Sequence, residues 1–212
     1  MHFFSETLIS DYIQIDEENS LYFLLAESRR DPDTDPLVIW LQGGPGCSSM
    51  LGFFTENGPY NYHFNPESTK ERGTFEYNKW SWNNEANVMY IDQPLGTGFS
   101  WTENMFDHRM TETEVARDFE MFMIGFLNRY PEFKGREIIL TGESFAGHYI
   151  PAIANYLHNY GDEKNFKLSG IAIGNGWVDP FYQYLSYPGY ALSVGIIRDG
   201  QKLVTDFLYE IC

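Results

Sequence analysis

Basic residues are scarce in this chain: 14 lysines and arginines stand against 30 aspartates and glutamates, a formal charge of -16 over 212 residues. Like charges repel, so a nucleic acid is excluded as the main partner. Cysteine is scarcer still. Cys47 and Cys212 are the only two, too few for a disulfide framework, and the second is the last residue. Long apolar runs are missing as well. None approaches the roughly 20 residues a membrane-spanning helix needs, and the opening Met1-His2-Phe3-Phe4-Ser5-Glu6 has neither the basic end nor the apolar stretch of a secretion signal. The expectation is a soluble chain, without membrane contact and trimmed of any leader. Asn-x-Ser/Thr sequons are absent, and the five histidines (His2, His63, His108, His148 and His158) form no convincing metal pair. No cofactor is implied.

Core material, by contrast, is ample. With 43% hydrophobic and 17% aromatic residues the chain can fill one sizeable domain. Tyr12-Ile13-Gln14-Ile15 alternates as a strand, and Leu21 to Ala26 follows after the turn residues Glu18-Asn19-Ser20, which predicts an opening hairpin. The runs Leu37–Leu41, Asn87–Ile91, Glu137–Leu140 and Gly170–Ile173 are nearly continuous in apolar residues, as strands covered on both faces are. Between them lie helical patterns. Thr111 to Glu114 offers a capping box, then Val115, Phe119, Phe122 and Phe126 recur at helical spacing until Pro131. A second stripe, Ile150, Ile153, Ala154 and Leu157, contains Pro151, which predicts a kink or a restart. Strand and helix in alternation give an α/β fold, a mostly parallel sheet flanked by helices. From Trp177 the character turns aromatic, Pro-containing and irregular, so residues 1–176 read as core and 177–212 as something apart.

One turn between strand and helix carries chemistry. In "LTGESFAGHYIP" Ser144 follows an apolar run and precedes a helical stripe. A serine there takes a strained backbone that lifts its hydroxyl above the carboxyl edge of the sheet. Gly142 fits the G-x-S-x-G nucleophile pattern, whereas Ala146 stands where the second glycine belongs. The bland alternative is that Ser144 merely caps the helix. A second motif, Gly43-Gly44-Pro45-Gly46-Cys47-Ser48-Ser49, follows the strand at 37–41. Backbone N–H groups from such a loop and from the residue after a nucleophile form an oxyanion hole, and Gly44 and Phe145 are the natural pair. Read alone, the loop is only a glycine-rich turn. It is no phosphate loop, because no Gly-Lys-Ser/Thr follows, and Gly96-Thr97-Gly98 is too short for a dinucleotide fingerprint.

Taken together, "WLQGGPGCSS", "ENGP", "SWNNEANVMYIDQPLGTGFS", "GESFAGHYIP" and "IAIGNGWVDP" resemble the serine carboxypeptidases, α/β-hydrolases that remove C-terminal residues at acidic pH; the match runs in order from about Tyr12 to Ile197. The resemblance implies that Ser144 is the acylated nucleophile and that Gly44 and Phe145 donate the oxyanion hydrogen bonds. It also implies that Glu56 and Glu143 are the acid pair near the substrate's C-terminal carboxylate, with Gln42 and Gly43 beside them. Two carboxyls facing a third cannot all be ionised cheaply, so a shared proton, hence acid pH, favours binding. Without the resemblance Glu56 reads as an ordinary helix-surface acid. A lysosomal, vacuolar or secreted location follows by the same resemblance, with peptide or protein C-termini as substrates.

Three departures qualify the match. The family usually has Asn where Gln42 stands, and one extra methylene shifts that amide. It usually has Tyr where Phe145 stands, which loses a hydroxyl but keeps the backbone N–H. Its triad Asp and His come later in the chain, after an inserted cap. His148 reads as a local packing residue and the other histidines match no expected base. The expectation is therefore an N-terminal portion, truncated before the cap insertion and the C-terminal part of the core, nearly inert by itself. Residues 177–212 would lead into the cap, Cys47 and Cys212 would seek partners beyond the end or each other, and association with a C-terminal part or chain is implied. A related acyltransferase and a non-catalytic peptide-binding relative are the alternative readings.

Overall fold

The computed structural model describes residues 2–3, 5–67, 73–104, 107–161 and 166–210. The chain divides into two compact units, Met1–Gly176 and Trp177–Cys212. In the first, strands β1 (His2–Phe3), β2 (Glu6–Gln14), β3 (Asn19–Ala26) and β4 (Leu37–Leu41) precede α1 (Met50–Thr55) and the hairpin β5 (Tyr60–Phe64) with β6 (Gly73–Tyr77). Next come β7 (Asn87–Ile91), the short β8 (Trp101–Thr102), α2 (Glu112–Arg129), β9 (Ile138–Glu143), α3 (Ala146–Tyr160) and β10 (Leu168–Gly174). The sheet order is β1-β2-β3-β7-β4-β9-β10, with β8 paired to β3. β7, β4, β9 and β10 run parallel, and β1 to β3 add an antiparallel flank.

β4 and β7 match the predicted bounds and are buried from end to end. Alternation along each strand divides the core in two. Leu37, Ile39, Leu41, Met89 and Ile91 pack with Val115, Phe119, Phe122 and Phe126 of α2 and Tyr149, Ile150 and Ile153 of α3. Val38, Trp40, Val88 and Tyr90 pack on the opposite face with Met50 and Phe53 of α1. Helices thus cover both faces. The capping box of α2 is present: Thr111 Oγ1 accepts from Glu114 N at 3.3 Å and Glu114 Oε2 from Thr111 N at 2.9 Å.

Two expectations need correcting. α3 does not restart at Pro151 but runs as one helix from Ala146 to Tyr160. Nor is the segment after Trp177 irregular: it forms α4 (Pro180–Ser193) and α5 (Asp199–Glu210). Asp179 caps α4 by accepting from Tyr182 N at 3.3 Å, and Pro180 takes a first-turn position that needs no N–H partner. Trp177, Tyr184, Tyr187 and Tyr209 meet ring to ring, so the aromatics pack this helix pair.

Candidate active site

β9 ends at Glu143 and α3 begins at Ala146, so only Ser144 and Phe145 connect them. Ser144 has φ +57°, the left-handed region, which costs a non-glycine residue on the order of 1 kcal/mol. Its amide donates to Gly174 O at 3.1 Å, tying the turn to the end of β10, and its side chain is exposed. The capping reading fails: Phe145 is the N-cap of α3 and no side chain caps it. Gly142 explains Ala146. A Cβ on Gly142 would stand 2.3 Å from Leu41 O and 2.8 Å from the Ala146 Cβ, so glycine is required at 142 and the alanine methyl fills the room it leaves.

The glycine-rich loop reaches this turn through main chain. A Cβ on Gly43 would stand 2.5 Å from Phe145 N and 2.8 Å from Ser144 Cβ, so only glycine permits the approach. Gly44 follows with φ +118°. Cys47 N closes a turn on Gly43 O at 3.1 Å, and Gly46 N donates to the Tyr149 hydroxyl at 3.3 Å. Beyond them Ser49 is fully enclosed: its Oγ donates to Ile91 O at 2.6 Å and accepts from Gln42 N at 3.1 Å. Cys47 is a free, exposed thiol, while Cys212 lies outside the described residues.

Polar side chains gather beside the turn. Gln42 is 2% exposed; its Nε2 donates to Glu143 Oε1 at 2.7 Å and Glu56 Oε1 at 3.2 Å, while its Oε1 accepts from Trp40 Nε1 at 2.9 Å. Glu56 is therefore no helix-surface acid. It is the residue that ends α1, half-buried, with Oε2 enclosed. Burial raises its pKa first, the Glu143 charge raises it further, and the Gln42 hydrogen bond pulls the other way. One proton on this pair converts repulsion into a hydrogen bond.

His148, one turn into α3, stacks on the Phe145 ring with centroids 4.8 Å apart. Its charge opposes the rise that burial imposes on the Glu112 carboxyl. The structure thus brings Gln42, Gly43, Gly44, Glu56, Glu143, Ser144 and Phe145 to one junction. Sequence reasoning passed over Trp40, Ser49, Tyr149 and Asp92, whose only signal was position in or beside the motifs.

A family model described as serine carboxypeptidase matches residues 2–207. The chain is 40% identical over 211 residues to serine carboxypeptidase S10 family member 1 of Dictyostelium discoideum, covering 96% of this chain and 48% of that protein. It is 43% identical over 182 residues to serine carboxypeptidase 3 of Oryza sativa subsp. japonica, covering 84% and 35%. A solved structure, the prohormone-processing carboxypeptidase Kex1(delta)p from Saccharomyces cerevisiae, superposes with a TM-score of 0.74 at 31% identity, over 91% of this chain and 43% of that one. The fold is thus of the α/β-hydrolase type, and the chain spans between about a third and a half of the length of these relatives.

Proposed function

The chain belongs to the serine carboxypeptidase family, and from that premise we propose that it carries the nucleophile and carboxylate-reading part of an enzyme that releases C-terminal residues through an acyl-enzyme at Ser144. One observation supports this most: the left-handed, exposed Ser144 adjoins a cluster in which Gln42 joins two glutamates. The Ser144 hydroxyl attacks the last peptide carbonyl, forming a C–O bond. The N–H groups of Gly44 and Phe145 receive the oxygen's developing charge, and the C–N bond then breaks as the amine leaves with a proton. Water releases the acyl group. Glu56, holding the proton of the acid pair, donates it toward the substrate carboxylate, with Gln42 and Gly43 beside it.

Because the Glu56 pKa is raised, the donor form persists above the ordinary carboxylate range, and binding weakens as pH rises through that raised value. A lysosomal, vacuolar or extracellular acidic setting suits that dependence. The test compares N-blocked dipeptides with free and amidated C-termini on the full-length protein. Release from the free acid alone, with fluorophosphonate labelling at Ser144, is expected; equal release from both sinks the reading. The isolated 212-residue product, to which the family resemblance assigns no base among its histidines, is expected to show no acylation burst.

Gln42 favours a second reading, an acyltransferase of the same fold. Both of its N–H donors already serve Glu56 and Glu143, which leaves neither for a peptide carboxylate. Faster transfer from an acyl ester to an alcohol than to water in the full-length protein distinguishes it.

A further inference from the structure

Asp92, the residue after β7, is fully enclosed by the protein. Its Oδ1 accepts from Ser48 Oγ at 2.6 Å and from Ser49 N at 2.9 Å; its Oδ2 accepts from Phe99 N at 2.9 Å. The carboxylate therefore links two loops that lie far apart in sequence. Gly98, at φ +56°, is held so close that a Cβ there would stand 2.1 Å from Asp92 Oδ2 and 2.9 Å from Ser48 Oγ. Ser48 Oγ in turn accepts from Met50 N at 3.2 Å, where α1 begins. A buried carboxylate needs such donors to be tolerable, but stability alone does not require them to come from the segment carrying Gly44. An apolar residue of the same volume would serve a purely structural end.

The connection to the reacting centre is short. Ser48 and Ser49 are pinned by Asp92, Cys47 N closes on Gly43 O, and Gly43 lies against Phe145 N. We propose that Asp92 is a positioning residue for catalysis, setting where the Gly44 N–H stands relative to the Phe145 N–H by clasping Ser48 and Ser49. This rests on the reading of Ser144 as nucleophile. Donor placement matters because an oxyanion bond counts only at the position of the transition-state oxygen, and a 1 Å misplacement costs on the order of 100-fold in rate.

Asn at this position fills the same volume but offers one oxygen where Asp offers two. Its amide would face either Phe99 N or the Ser48–Ser49 pair, donor against donor. The experiment uses the full-length protein and reads the acylation rate, the affinity for an uncleavable peptide with a free carboxylate, and Tm. Asp92→Asn is expected to slow acylation about 10- to 100-fold while changing ligand affinity less than about twofold. Should Asp92→Asn fail to fold, Ser48→Ala removes one of the two bonds to Asp92 Oδ1, together with the acceptor for Met50 N, and is expected to slow acylation roughly threefold to tenfold. Ser48→Thr, which restores the hydroxyl, is expected to recover most of that rate. An unchanged rate in the folded variants overturns the proposal while leaving Ser144 as nucleophile. So does a loss of rate matched by an equal loss of ligand affinity, which marks general loosening. Failure of the unsubstituted protein to acylate Ser144 overturns the parent reading, and this proposal with it.

Discussion

β4 has an acid cluster at each end, and the two are built on opposite plans. Before its first residue, Asp35 is enclosed and held by Arg30 and by Ser28 Oγ at 2.5 Å, with Asp31 N at 3.2 Å. Those partners, the Arg30 hydrogen bond first, depress its pKa to about 2. After its last residue, Glu56 and Glu143 meet at the neutral amide of Gln42 and each other, and burial with the Glu143 charge raises the Glu56 pKa. The amino end is balanced within itself and fastens a loop. The carboxyl end has two acids and, among the described residues, no cation in their hydrogen bonds, at the edge of a parallel sheet of the kind where ligands bind. An acid cluster left unbalanced beside an exposed serine at a left-handed turn is the one to read as a site, and the one matched with an arginine as scaffold.

The largest break in that contrast is Ser144→Ala in the full-length protein, expected to lower kcat by about 10⁴-fold or more with Tm nearly unchanged, because alanine carries the same Cβ and the same left-handed strain. Steady-state kinetics and calorimetry on one preparation check both. Gly43→Ala comes next. Its methyl would meet Phe145 N, so a fall in kcat of about 100-fold is expected, with crystallography showing the loop displaced from the turn. Glu56→Gln, a neutral isostere, is expected to raise KM for free-acid peptides roughly tenfold at acid pH and to flatten its pH dependence; a KM profile that keeps its slope would assign the proton elsewhere. Asp35→Asn is smallest for turnover, within about twofold in kcat/KM, but should lower Tm by several degrees at neutral pH.

The pH dependence of folding sharpens the same contrast because the two ends respond with opposite sign. The Asp35 contribution is present at neutral pH and is lost as pH falls toward its depressed value of about 2. The Glu56 contribution is greatest in acid and is lost as pH rises through the raised value. Asp35→Asn should therefore remove stability chiefly at neutral pH, and Glu56→Gln should restore some there. Thermal melts of both variants from pH 3 to 8 on the full-length protein check it.

Apolar periodicity made the centre of the fold legible. Leu37–Leu41 and Asn87–Ile91 are buried on both faces, so their runs are unbroken and their ends are marked by polar residues. Thr111 and Glu114 announced α2 because a capping box is a local device. The β5–β6 hairpin escaped notice, although Tyr60-Asn61-Tyr62-His63-Phe64 alternates aromatic with polar residues, because both strands are short and largely solvent-facing. α4 was masked by its tyrosines and by Pro188, although Asp179-Pro180 is a helix-start signal in plain view. In the site, Ser144 and the glycines were legible because their constraint is in the backbone. Glu56 needed the family resemblance, since its meaning comes from Glu143 on a distant strand. Asp92 resembled any strand-ending turn residue: its partners lie in two other loops, and no local pattern encodes them.

The contact of Gly43 with Phe145 N is made of main chain alone. Its consequence concerns inheritance. Two side chains at the junction, Gln42 and Phe145, differ from those the family resemblance leads one to expect, yet the spacing between loop and turn does not pass through them. Descendants of such a scaffold can change the side chains at the junction one at a time without rebuilding the main-chain frame that joins loop and turn.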